Sequence, residues 1–280
     1  MAIQRGLITL SGKMDDQIYF RRDGKNLARS APAEVQISES SKKSGTEFGR
    51  ASKAASVVRR AFLSIVGHIA DRAFNQRLRS SFVKVINSAY CKPKGEREVT
   101  DGDLALLKGF QINRYTPLQN IFSIEPRIEI NPDTAISITF PKFRLEGIVT
   151  APPEAVFLVV QLGCSVGDFS ENGLSARIRV LQIDLRRPYF PTSKLVVPDG
   201  AVDDQALLIA IGVHFLTAQG IRIGNRNWMA GRIIESGLVS DGQIVPFVKQ
   251  EKKIDPVVQD DGKQWLSWDV NDWECDEMDE

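Results

Sequence analysis

The sequence predicts an α+β protein: an N-terminal β-arm and a helical pair, followed by an antiparallel β-sandwich of immunoglobulin-like type. Three observations carry that prediction. An Asp23-Gly24 pair sits between short runs of β-formers near the start of the chain. From Phe48 to Ile69, apolar and small residues recur at alternating spacings of three and four. From Arg127 onward the period becomes two, with turn residues between short runs and no helical segment among them.

Residues 1–40 form the arm. Leu7 and Leu10 lie in the first apolar run, which stops at Ser11-Gly12; Ile18, Tyr19 and Phe20 lie in the second, and Leu27 in the third. Asp-Gly between β-formers predicts a type I′ hairpin, because both central positions of that turn need positive φ. A ribbon of this size is marginal alone in water, so it is expected to dock on its own domain or on a neighbour. That expectation makes Leu7, Leu10, Ile18, Tyr19, Phe20 and Leu27 the candidate self-association residues.

Residues 41–94 form a basic helical pair, entered through the polar stretch 38–46 with Thr46 as the expected N-cap. Phe48, Ala51, Ala55, Val58, Phe62, Ile65 and Ile69 keep to one stripe. After Asp71 the register shifts to Phe74, Leu78, Phe82 and Val85 or Ile86. Ala in two of the seven positions of the first stripe favours a helix packed on a domain over a coiled-coil seam. Residues 95–125 carry weak signals and are taken as a connector.

Residues 126–248 are the expected sandwich. The strands are Ile128–Ile130, Ala135–Phe140, Ala155–Leu162, Ala176–Leu185, Lys194–Val197, Gln205–Leu216, Gly220–Ile223 and Gly242–Val248. Asn131-Pro132-Asp133, Ala151-Pro152-Pro153, Glu171-Asn172-Gly173 and Pro198-Asp199-Gly200 supply the turns. The Cys…Trp…Cys spacing of antibody domains is absent, so the prediction concerns architecture alone. Residues 249–280 are an acidic tail whose Trp265, Trp268 and Trp273 are candidate partner-binding residues.

Charge sharpens this layout. The chain is nearly neutral overall, but residues 1–94 carry a net +11 and residues 251–280 a net −8. The basic part suits an anion such as nucleic acid, with Arg21, Arg22, Arg59, Arg60, Arg77 and Arg79 as candidate contacts. Alternatively, the tail of one copy meets the basic part of the next.

The chemistry of a reaction is harder to find. Gly6 and Gly12-Lys13 have the wrong spacing for a phosphate loop, and Met14 stands where Ser or Thr would hold magnesium. His68 and His214, the two histidines, lie in a helical pattern and inside an apolar strand, where imidazoles are structural. Cys91, Cys164 and Cys275 are too far apart for a metal knuckle or a disulfide framework. Asp199, Asp203 and Asp204 are turn acids before they are calcium ligands. The expectation is therefore a non-enzyme without cofactor or metal. No apolar run nears the roughly 18 residues of a membrane span, and the N-terminus does not fit a signal peptide. A cytoplasmic or virion-associated setting without membrane contact follows as an expectation.

Gly6-Leu7-Ile8, Ser11-Gly12-Lys13, Ile18-Tyr19-Phe20-Arg21, Gly24-Lys25 and Arg29-Ser30-Ala31-Pro32, followed by Phe48 and an Ala-rich helix, resemble an uncharacterised Bacteroidota family. That family has an N-terminal Ser-Gly-Lys leader, a helical pair and an immunoglobulin-like β-domain, and similar leaders occur in prophage-associated proteins. Asp15-Asp16 stands where the family commonly has Gly, and the acidic Trp tail is extra. The resemblance implies a structural or phage-related setting and supplies no catalytic residue. Together these features predict a structural protein that self-associates by strand addition through its arm, phage- or filament-like. The alternative is a nucleic-acid-binding accessory protein using the basic N-terminal third.

Overall fold

Short turns between β-formers, then two amphipathic helical stripes, then long β-runs build the observed order of elements. The computed structural model describes residues 2–3, 10–31, 37–131, 135–171, 173–197, 205–240 and 243–248. The arm contains β1 (Ala2–Ile3), β2 (Gly12–Met14), β3 (Gln17–Arg22) and β4 (Lys25–Ser30). They form one antiparallel sheet in the order β1-β4-β3-β2. Asp23 and Gly24 have φ of 51° and 76°, the left-handed pair that the Asp-Gly signal predicts. The β2–β3 turn uses Asp15 at φ 47°, a conformation that glycine adopts more easily.

The helical layer is α1 (Glu39–Ala61), α2 (Leu63–Ile69) and α3 (Phe74–Ser88). The first helix starts earlier than the sequence suggests. Ser38 is its N-cap, with Oγ accepting from the Ser41 N–H at 3.2 Å. Thr46 lies inside the helix, and its hydroxyl donates back to the Lys42 carbonyl. The residues taken as polar linker are thus largely helical. Phe62 breaks the helix between α1 and α2 while its ring stays buried. Both stripes face inward, from Ala51 to Ile69 and from Phe74 to Ile86. Phe48 is the exception: half-exposed, with the Arg79 guanidinium 5.4 Å from its ring centre.

The stretch 95–125 is more than a connector. It contributes Val99, Leu104, Leu107 and Ile112 to the core beneath the helices, and it contains α4 (Leu118–Ile121). The β-body follows as β5 (Arg127–Asn131), β6 (Ala135–Phe140), β7 (Phe143–Arg144), β8 (Phe157–Gly167), β9 (Leu174–Asp184), β10 (Tyr189–Phe190), β11 (Ser193–Val197), β12 (Gln205–Leu216), β13 (Ala230–Ser240) and β14 (Gln243–Val245). A five-stranded antiparallel sheet has the order β14-β13-β12-β8-β9, and a three-stranded one the order β11-β6-β5. The fold is α+β, with helices on one face of the larger sheet and the smaller sheet on the other.

β12 shows how the layers are held. Leu207, Ile209, Ile211, Val213 and Phe215 join the core shared with Ile136, Ile138 and Phe140 of the three-stranded sheet. Ala206, Leu208 and Ala210 point to the opposite core, beneath the helices. A continuous apolar run with both faces covered is what a central strand needs. Close helix approach explains two glycines. A Cβ on Gly163 would stand 2.7 Å from the Phe62 ring, and one on Gly212 would stand 2.5 Å from Ile65.

The longest strand that the sequence does not announce is β13. Its pairing with β12 shifts between Ile209, opposite Glu235, and Ala210, opposite Ile233, so Ile234 is an extra residue and the period of two is broken there. Gly231, Glu235 and Gly237 further dilute its β signature. Gly220–Ile223, expected as a strand, makes a single bridge between Arg222 and Leu216. Residues 109–112 pair with the start of β13: Gly109 N–H donates to Ile233, Ile112 N–H to Gly231, and Ile233 N–H to Phe110.

One buried ion pair fixes the turn between α2 and α3. Asp71 is almost fully buried, accepts from the Ala73 and Arg114 backbone N–H groups, and pairs with Arg77. Burial pushes its carboxyl up, but those hydrogen bonds and the Arg77 charge outweigh it and hold it below the ordinary value. Arg77 also donates to the Gln111 and Ile112 carbonyls, tying α3 to the stretch that edges β13.

Candidate functional site

The candidate self-association residues sit on a sheet that joins neither core. Among the described residues, none before Ala51 belongs to either hydrophobic cluster. Ile18, Tyr19, Phe20 and Leu27 are half-buried, and Leu10 is exposed. Register places Phe20 opposite Leu27, Leu27 opposite Ile3, and Ile18 opposite both Arg29 and Lys13. Facing residues of an antiparallel sheet share one side, so Ile3, Ile18, Phe20 and Leu27 form an apolar strip flanked by Lys13, Lys25, Arg22 and Arg29. The Arg29 guanidinium lies 5.9 Å from the Phe20 ring centre. Tyr19 faces the other side, where its hydroxyl donates to Gln17. Leu7 lies outside the described residues.

The six candidate anion-binding arginines do not converge. Arg21 and Arg22 are exposed on β3, with Arg22 beside Asp23 at 3.6 Å. Arg60 donates to the Glu171 carbonyl at 2.9 Å, bridging α1 to the loop before β9. Arg77 is committed to Asp71 and to two carbonyls, so it belongs to the protein interior and not to a solvent-facing cation patch. Only Arg59 and Arg79 share a groove, between α1 and α3. Trp265, Trp268 and Trp273, like Asp199, Asp203, Asp204 and Cys275, lie outside the described residues.

The structure assembles one cleft that the sequence does not single out. It encloses about 440 Å³ between an apolar floor of Leu145, Val149 and Leu185 and a rim of Arg144, Arg186 and Arg187. Tyr189 stands nearby, with Lys142 and Arg144 each 5.6 Å from its ring centre. Arg186 grips Asp184 through two nitrogens at 2.7 and 2.8 Å, and this holds the Asp184 carboxyl down at about 2. Arg144 pairs with Glu146 at 3.4 Å. Arg186-Arg187-Pro188-Tyr189 was the available sequence signal, but it needs Arg144 and Lys142 from a distant turn to become a cleft.

Among the described residues, neither histidine forms a catalytic pair with an acid or a thiol. His214 is 6% exposed on the helix side of β12, and its Nδ1 has no hydrogen-bond partner among the described residues. Burial, helped by the charge of Arg222 and by His68, pushes its pKa down to about 4. It is structural in position, yet not satisfied at that nitrogen. Among the described residues no group of His, Cys, Asp and Glu side chains has the arrangement of a metal site. Cys91 is exposed and Cys164 is buried. Among the described residues no helix is long and apolar enough to cross a membrane.

No protein-family model, curated protein or solved structure matches the chain.

Proposed function

We propose that the protein is a non-enzymatic structural element, phage- or filament-like, that self-associates through its N-terminal arm. In this reading the two sheets and their shared core act as an immunoglobulin-like sandwich body, and the arm is the connecting device. The observation that carries it is the separation of the arm from both hydrophobic cores. A four-stranded ribbon with half-buried Ile18, Phe20 and Leu27 gains stability when another surface covers that strip.

The body offers a matching partner. β9 is an 11-residue strand at the end of the five-stranded sheet, paired only with β8 among the described residues. An open edge accepts an added strand through main-chain hydrogen bonds. The basic surround of the arm and the acidic 251–280 segment then set polarity between successive copies.

Light scattering after size exclusion, over a concentration series, tests this on the full chain and on a chain lacking residues 1–37. The expected result is a concentration-dependent assembly that falls to monomer in the truncated chain. A monomer in both chains would remove the arm as a connector.

A further inference from the structure

The groove between α1 and α3 lies over the core beneath the helices, away from the arm strip. Its volume is about 200 Å³, below the range of pockets that take drug-sized organic ligands. Ala55 and Leu78 form its floor; Ser52, Ser56, Arg59, Asn75 and Arg79 supply every polar side chain on it. All five are hydrogen-bond donors, and no carboxylate among the described residues lines the groove.

That absence sets Arg79 apart from the other partly buried arginines, while Arg59, across the groove, is exposed. Arg50 pairs with Glu98, Arg77 with Asp71, Arg97 with Glu47 and Arg232 with Glu125. Arg59 has no ion pair or hydrogen bond among the described residues, and Arg79 has only the ring of Phe48. Two guanidiniums from facing helices therefore approach one small space without a neutralising acid. A second observation points the same way. The Ser52 hydroxyl on this groove is shielded from water and has no hydrogen-bond partner among the described residues. A buried polar atom left unpaired is costly, and an acceptor brought into the groove would relieve it.

We propose that this groove binds a phosphoryl group, held between Arg59 and Arg79 with Ser56 and Asn75 as further donors. Guanidinium forks match the oxygens of a tetrahedral phosphate, and the space admits the group but not a large organic body. The group has two sources: a small phosphate compound, or the backbone of a nucleic acid.

The test uses the full chain and inorganic phosphate, titrated by calorimetry at constant ionic strength against chloride. Saturable binding is expected. Arg59→Gln and Arg79→Gln each weaken it by about tenfold or more, the worth of a charged hydrogen bond. Arg60→Gln leaves binding unchanged, because that side chain is engaged at Glu171. Ser56→Asp, at an exposed helix position, places a carboxylate in the groove and abolishes binding; unchanged circular dichroism of each variant shows that the fold is retained. Short single- and double-stranded oligonucleotides are then compared at equal phosphate concentration. Tighter binding that falls steeply with salt and depends on Arg59 and Arg79 assigns the nucleic-acid source. Binding no tighter than inorganic phosphate assigns the small compound. No saturable phosphate binding, or binding equal in Arg59→Gln, Arg79→Gln and the parent, overturns the proposal.

Discussion

The arm and the five-stranded sheet are made by the same antiparallel pairing, yet they differ in what covers them. β12 is buried on both faces, with Ile211 against the smaller sheet and Ala210 beneath the helices. β3 has Phe20 on one side and Tyr19 on the other, both only half-buried. Turn chemistry therefore suffices to set the register of a ribbon, as Asp23-Gly24 does, but it does not give that ribbon a core. Stability in water comes mainly from area removed from water, and here that area belongs to the body.

The largest expected effect breaks the body and spares the arm. Asp71→Ala leaves Arg77 without its acid in a partly buried setting and lowers stability by about 3–5 kcal/mol. Urea unfolding followed by tryptophan fluorescence and far-UV circular dichroism measures this. Amide exchange of residues 17–30 is expected to stay as in the parent, because the arm shares neither core.

A smaller effect separates the two regions by pH. The pKa of His214 is about 4 in the folded protein and about 6.5 when unfolded, so the unfolded chain binds the extra proton between those values. The stability that His214 contributes is complete above pH 6.5 and is lost as pH falls through 4, by about 3 kcal/mol in all. His214→Leu is expected to flatten that window in urea midpoints taken from pH 7.5 to 4.5. Asp71 acts lower down: its depressed pKa gives stability that is present above its unfolded value and lost below it. A midpoint in the parent that does not move between pH 7 and 5 would contradict the assignment to His214.

The smallest effect sharpens the arm. Asp15 holds a left-handed conformation in the β2–β3 turn, with φ 47°. Asp15→Gly removes that penalty and stabilises the ribbon by about 0.5–1 kcal/mol. Slower amide exchange across residues 12–19, with no change in the body, is the expected signature.

Several features of the protein were legible along the chain because they depend on neighbours in sequence. Positive φ at Asp23 and Gly24 follows from local sterics. The stripe from Ala51 to Ile69 follows from helical period, and Ala135–Phe140 and Gln205–Leu216 stand at the bounds the sequence predicts. Other features required the packed chain. Thr46 has the chemistry of a cap, but Ser38, eight positions earlier, starts the helix. β13 was hidden because its bulge breaks the alternation by which strands are recognised. Arg77 and Arg79 are indistinguishable as helix cations in the sequence, yet one is locked to Asp71 and the other faces Arg59 across a groove.

The sequence by itself determined the turns, the helix faces and the most continuous strands, since these are set by backbone sterics and by periods of two and 3.6 residues. Tertiary structure alone decided which glycines admit a helix, which arginines find an acid, and which sheet is left without a core. Those outcomes depend on residues brought together from distant parts of the chain, and no local pattern encodes the partner that each will meet.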